Sequence, residues 1–166
     1  MNRRSVYRLC LTAVFAAMIL VVTALVQVRT PIGFIHLGDA FIYLAACFLP
    51  MPYAVAAASI GAAGADLLSG YAVWMPFTLL IKSLMALLFR AKGRLLSGRN
   101  IIACIVAGVI NVAGYFLAGI LLYGWGAALA EVPLTLIQSG AGAAAFLLMA
   151  AVLDRADIKH RMGRFL

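Results

Sequence analysis

A chain of 166 residues that is 66% apolar and only 11% charged, with a mean hydropathy of +1.11, cannot hide its apolar surface inside a soluble 17.6 kDa core. The same composition excludes disorder, a disulfide scaffold and a collagenous repeat. The net charge of +8 does not point to nucleic acid, because Arg3, Arg4 and Arg8, then Arg90, Lys92, Arg94 and Arg99, then Arg155, Lys159, Arg161 and Arg164 flank long apolar runs, as cytoplasmic loops of a membrane protein do.

The first apolar run, residues 9–28, is long enough for a membrane helix and long for a signal-peptide core. Ala13 and Ala17 share one of its faces. An outer loop follows with Arg29, His36 and Asp39, the last two at the mouth of the next helix. Asp39 there suits either a helix cap or a ligand contact. Residues 37–68 are too many for one helix, and Pro50-Met51-Pro52 divides them into spans at 37–49 and 52–69. The first of these is short enough to be a buried or re-entrant segment. The second carries Ala57, Gly61 and Ala65 at four-residue spacing, with Asp66 near its outer end.

Residues 71–89 form the fourth span, where Trp74, Thr78 and Lys82 make one stripe behind Tyr71. Lys82 suits a ligand contact, an ion pair with Asp66, or a side chain reaching towards Arg90. Residues 101–123 are the fifth span, with Asn111 and Tyr115 on one face. Glu131 falls in the last outer loop, and residues 135–153 are the sixth span, with Gln138 and Ser139 one turn in. Parity supports six spans, because both termini and every basic cluster then lie inside and only Arg29 stays out. The expectation is an all-α integral membrane protein, N-in and C-in, with residues 1–166 as one domain.

No P-loop, zinc motif or paired Cys-x-x-Cys occurs, and Cys10, Cys47 and Cys104 lie in or beside apolar spans. No enzyme, cofactor or metal site is expected. Polar groups inside a membrane are costly and face a bundle interior or a wet cavity. Aromatic and amide groups around a few charges, open to the outside, suit a small polar aromatic solute. The small-residue stripes admit two readings, internal packing or docking of another membrane protein.

Three segments then carry a resemblance: His36-Leu37-Gly38-Asp39-Ala40, Ile60-Gly61-Ala62-Ala63-Gly64-Ala65-Asp66-Leu67-Leu68-Ser69-Gly70-Tyr71, and Pro76-Phe77-Thr78-Leu79-Leu80-Ile81-Lys82. Together with Ala13-x-x-x-Ala17, the chain resembles the substrate-binding S component of energy-coupling factor (ECF) vitamin transporters. The branch is the one with riboflavin, hydroxymethylpyrimidine and pyridoxine binders. The resemblance implies capture of a vitamin or precursor at the plasma membrane, and delivery through a membrane scaffold protein and two cytosolic ATPase subunits. It implies docking through Ala13 and Ala17, and ligand contacts from the first outer loop and helices four to six. The expected binding set is His36, Asp39, Asp66, Tyr71, Trp74, Thr78, Lys82, Asn111, Tyr115 and Gln138. The rivals are an accessory membrane protein without a solute, and a stand-alone secondary transporter, whose inverted repeats are not evident.

Overall fold

The computed structural model describes residues 3–91 and 93–159. Lys92, Arg161 and Arg164 of the basic clusters lie outside the described residues. Six α-helices follow in chain order: α1 (Arg3–Leu25), α2 (Asp39–Phe48), α3 (Met51–Leu68), α4 (Met75–Leu87), α5 (Gly98–Tyr123) and α6 (Trp125–Arg155). Among the described residues, α1, α3, α5 and α6 are long and apolar enough to cross a membrane. With 10 and 13 residues, α2 and α4 reach only about 15 and 20 Å, short of a hydrocarbon layer of roughly 30 Å.

Two departures from the sequence reading matter for the site. The first outer loop is a β-hairpin, β1 (Gln27–Arg29) against β2 (Phe34–His36), with Val28 opposite Ile35. Its turn is closed by Thr30, whose backbone N–H reaches Gly33 O and whose Oγ1 accepts the Gly33 N–H, both at 3.0 Å. Among the described residues the fold is therefore helical with one two-stranded exception. The second departure is Glu131, which is not in a loop. The break comes earlier, at Gly124, whose φ of 85° suits glycine, and α6 begins at the next residue. Pro133 sits inside it, and a membrane helix tolerates the one backbone bond it forfeits.

Helix α2 is the centre of the molecule. Ala40, Ile42, Tyr43, Ala45 and Cys47 have no exposed surface, and the helix touches α1, α3, α4 and α6. Such a helix needs no polar face, which is why its sequence shows none. Against it, α1 and α3 pack in parallel, with Gly61 beside Ala16 and Ile19 and Gly64 beside Leu20. A Cβ on Gly61 would lie 2.6 Å from Ala16 O and 2.8 Å from Ile19 Cβ, so glycine is what lets the backbones meet. Ala57 and Ala65 are fully buried in the same seam, while Ala13 and Ala17 stand exposed on the opposite side of α1.

The polar bonds sort the chain into two ends. At one, Gln27 Nε2 donates to Ser69 Oγ (3.3 Å) and Trp74 Nε1 donates to Ile32 O (3.0 Å), joining the hairpin to the end of α3 and the start of α4. At the other, Asn100 Nδ2 donates to Cys47 Sγ (3.3 Å) and Leu95 O (3.1 Å). There the Asp154 carboxylate accepts the backbone N–H groups of Leu95 and Leu96, each at 2.9 Å. Arg90, Arg94, Arg99 and Arg155 belong to this second end, as do Arg3, Arg4 and Arg8 by the parallel course of α1 and α3; Arg29 belongs to the first. Between the ends the surface is apolar, with Leu68, Leu121 and Leu148 about 70% exposed (69%, 76% and 71%). Water would not tolerate such a belt; acyl chains do.

Candidate functional site

A cleft opens at the hairpin end, between the hairpin and helices α5 and α6. Its roof is the hairpin turn, residues 32–36, and its walls include Asp66, Trp74, Tyr115, Glu131 and Gln138. Each polar wall residue is positioned by a different element. His36 ends β2, Asp66 lies in the last turn of α3, and Trp74 closes the short 3-10 turn Ala72–Trp74 before α4. Trp74 is held by its indole bond to Ile32 O and lies 5.7 Å from the Tyr115 ring. Phe34 packs between Tyr71 (5.2 Å) and His36 (5.6 Å), its ring tilted by about 50° to each. Tyr71 thereby braces the hairpin rather than lining the cleft.

His36 is almost fully buried and accepts the Gly38 N–H at Nδ1 (3.1 Å). Burial pushes it down from 6.5 to about 4, only partly opposed by the Asp39 carboxylate. It is therefore neutral at ordinary pH, with its ring proton on Nε2.

Beneath the cleft lies a closed polar network. Lys82 Nζ donates to Asp39 Oδ1 (2.6 Å) and to Asn111 Oδ1 (2.8 Å). Gln138 Nε2 donates to Asp39 Oδ2 (2.9 Å), and Asn111 Nδ2 donates to Ser139 Oγ (3.0 Å). Lys82, Asp39 and Asn111 have no exposed surface at all. Four helices are thus tied through one ion pair, and Lys82 pairs with Asp39 rather than with Asp66. Thr78 shares a hydrogen bond of 3.0 Å with Tyr115 OH, and the Lys82 ammonium lies 5.1 Å from the Tyr115 ring centroid. Asp39 does not act as a helix cap: it sits in the first turn of α2, with its side chain turned inward to Lys82 and Gln138.

The ten residues singled out in the sequence therefore fall into three places. His36, Asp66, Trp74, Tyr115 and Gln138 line the cleft; Asp39, Thr78, Lys82 and Asn111 lie one layer behind; Tyr71 stands at its edge. The stripe Trp74–Thr78–Lys82 exists, but it runs from the cleft wall down into the network. Sequence reasoning missed the hairpin turn, Val112, Phe116, Val132 and Thr135, and placed Glu131 elsewhere. Glu131, Thr135 and Gln138 stand four and three apart, a single helical face. That signal was present but invisible with α6 begun too late.

No group of three or more His, Cys, Asp or Glu residues suited to a metal occurs among the described residues. A model of the family "ECF-type riboflavin transporter, S component" matches residues 3–155. A protein of Pyrococcus woesei described as an uncharacterized protein in gap 3'region is 32% identical over 126 residues, covering 74% of this chain and 84% of that protein.

Proposed function

The chain belongs to the ECF-type riboflavin transporter S component family, a family of transporter components rather than enzymes, and from that premise we propose that it is the substrate-capture subunit of an ECF importer. It takes up a vitamin or vitamin precursor, of the riboflavin, pyridoxine or hydroxymethylpyrimidine class, at the hairpin end. The observation that carries this reading is the cleft itself: aromatic walls from Trp74 and Tyr115 with Asp66, His36 and Gln138 between them, at the end away from the basic clusters. A few convergent polar groups in an aromatic cleft are what a small planar solute needs. The positive-inside tendency puts that end outside the cell and both termini in the cytoplasm.

The chain has no P-loop of its own, so energy must come from partners, a membrane scaffold protein and two cytosolic ATPases. The face of α1 that carries Ala13 and Ala17 is exposed, which supports its use as the scaffold-docking surface. The molecule works in the plasma membrane as a single six-helix unit. Thermal unfolding of the purified protein with riboflavin, pyridoxine and 4-amino-5-hydroxymethyl-2-methylpyrimidine tests the capture function. A ligand that binds only the folded state at 100 times its Kd adds about 2.7 kcal/mol, so at least one should raise the melting temperature. No shift with any of them would overturn the reading.

A further inference from the structure

The charge inside the cleft runs against the charge of the chain. Three of the five acidic residues, Asp39, Asp66 and Glu131, gather near it. Asp39 is consumed by Lys82 at 2.6 Å, which leaves Asp66 and Glu131 on the walls. Among the described residues no Lys or Arg lines the cleft, and the Lys82 ammonium lies behind the Tyr115 ring, 5.1 Å from its centroid, with Asp39 as its ion-pair partner. His36 is neutral. The cleft is a small acidic chamber in a protein of net charge +8.

One atom in it is unsatisfied. Asp66 is 5% exposed, and its Oδ2 has no hydrogen-bond partner. An orphaned buried acceptor costs about 1–3 kcal/mol, a penalty relieved when a ligand donates to it. The cleft's size narrows the donor. Its free volume is about 50 Å³, which at about 10–15 Å³ per water-sized group is room for roughly three to five such groups, closer to one small ring than to three fused ones. Aromatic faces at Trp74 and Tyr115 favour a flat ring carrying positive or polarised N–H edges.

We propose, resting on the capture function above, that the cleft selects a single-ring nitrogen heterocycle with an exocyclic amino group, donated to Asp66 Oδ2, and rejects phosphorylated ligands. The amino group supplies the missing N–H and, when the ring is protonated, a charge opposite to that of Asp66 and Glu131. A ring carbonyl at the same place presents a lone pair to a carboxylate oxygen. A phosphate monoester brings about −1.5 to −2 charges to two carboxylates with no Lys or Arg on the cleft wall to meet it, and like-charge juxtaposition is strongly unfavourable.

Isothermal titration of the purified protein in detergent tests this with two matched pairs: 4-amino-5-hydroxymethyl-2-methylpyrimidine against its 4-oxo counterpart, and riboflavin against its 5′-phosphate. The amino pyrimidine should bind at least tenfold more tightly than the oxo form, and riboflavin phosphate should not bind. Asp66→Leu should erase the amino preference, since it removes the unsatisfied Oδ2 acceptor; Asp66→Asn, which keeps an acceptor but no charge, should lie between. The selectivity is overturned, with the capture function intact, if the oxo form, riboflavin or riboflavin phosphate binds as tightly as the amino pyrimidine. Retention of the amino preference in Asp66→Leu also overturns it. Absence of binding by all four probes overturns this selectivity, and the capture function falls with it only when pyridoxine fails to bind as well.

Discussion

Lys82 looks like a ligand group when the sequence alone is considered, because a lone cation in an apolar helix demands a reason. Its reason in the fold is Asp39, with Asn111 taking a second proton and Gln138 a second carboxylate oxygen. Breaking a buried pair by removing one partner leaves an uncompensated charge and costs about 3–5 kcal/mol. Lys82→Met should therefore lower the melting temperature sharply, and adding Asp39→Asn should restore part of it, because the stranded carboxylate is gone. If Lys82→Met melts like the parent and only loses affinity, the pair is a ligand site and not a tie between helices. Removing Asp66, whose Oδ2 has no partner in the fold, should cost ligand discrimination with a smaller loss of stability than Lys82→Met. The two acidic residues thus have separable duties one layer apart.

Helix α1 shows how neighbouring residues of one kind serve different faces. Ala16 abuts Gly61 in the α1–α3 seam, whereas Ala17, one residue on, is exposed. Gly61→Ala must push Ala16 O or Ile19 aside, and overpacking of this sort costs about 1–3 kcal/mol, read as a lower melting temperature. Ala17 is exposed, so Ala17→Trp should change stability by no more than about 0.5 kcal/mol. Its ligand affinity should also persist, since the cleft is walled by the hairpin, α3, α5 and α6. What it should abolish is uptake by cells carrying the whole importer. Loss of affinity along with uptake would make α1 an internal packing element on both faces and withdraw the docking proposal.

For the molecule as a whole, the decisive feature is the segregation of ends. The hairpin, the α3–α4 turn and the start of α6 share the cleft end, and the α4–α5 segment is clamped by Asn100 and Asp154 at the other. Arg29 is the basic residue of the cleft end, and Arg94, whose side chain is 80% exposed, belongs to the clamped end. A membrane-impermeant maleimide should label Arg29→Cys in intact cells and Arg94→Cys only after permeabilisation. A Cys10→Ala background suffices, because Cys47 and Cys104 are buried. Protection of Arg29→Cys in intact cells would invert the orientation and place the cleft in the cytoplasm.

Composition and spacing were enough to establish a membrane protein, a helix break at Pro50 and the concentration of polar groups towards one end, while the small-residue stripe through Gly61 stayed open between packing and docking until the fold set it against α1. Those are one-dimensional properties: apolar run length, proline's missing donor and charge bias are read directly from the order of residues. The hairpin and the early start of α6 were not legible, because three-residue strands carry almost no periodic signal and Gly124, Gly126 and Pro133 resemble a loop until Gly124 alone is seen to make the turn. Least legible was which polar residues face the cleft. Asp39 and Lys82 are 43 positions apart, and Asp39 and Gln138 are 99. Only the packing of α2 among four helices determines that Asp39 meets Lys82 while Asp66 is left with a free oxygen. A charge's partner is a matter of distance in space, and a buried charge becomes structural or functional according to whether that partner comes from the fold or is left for a ligand.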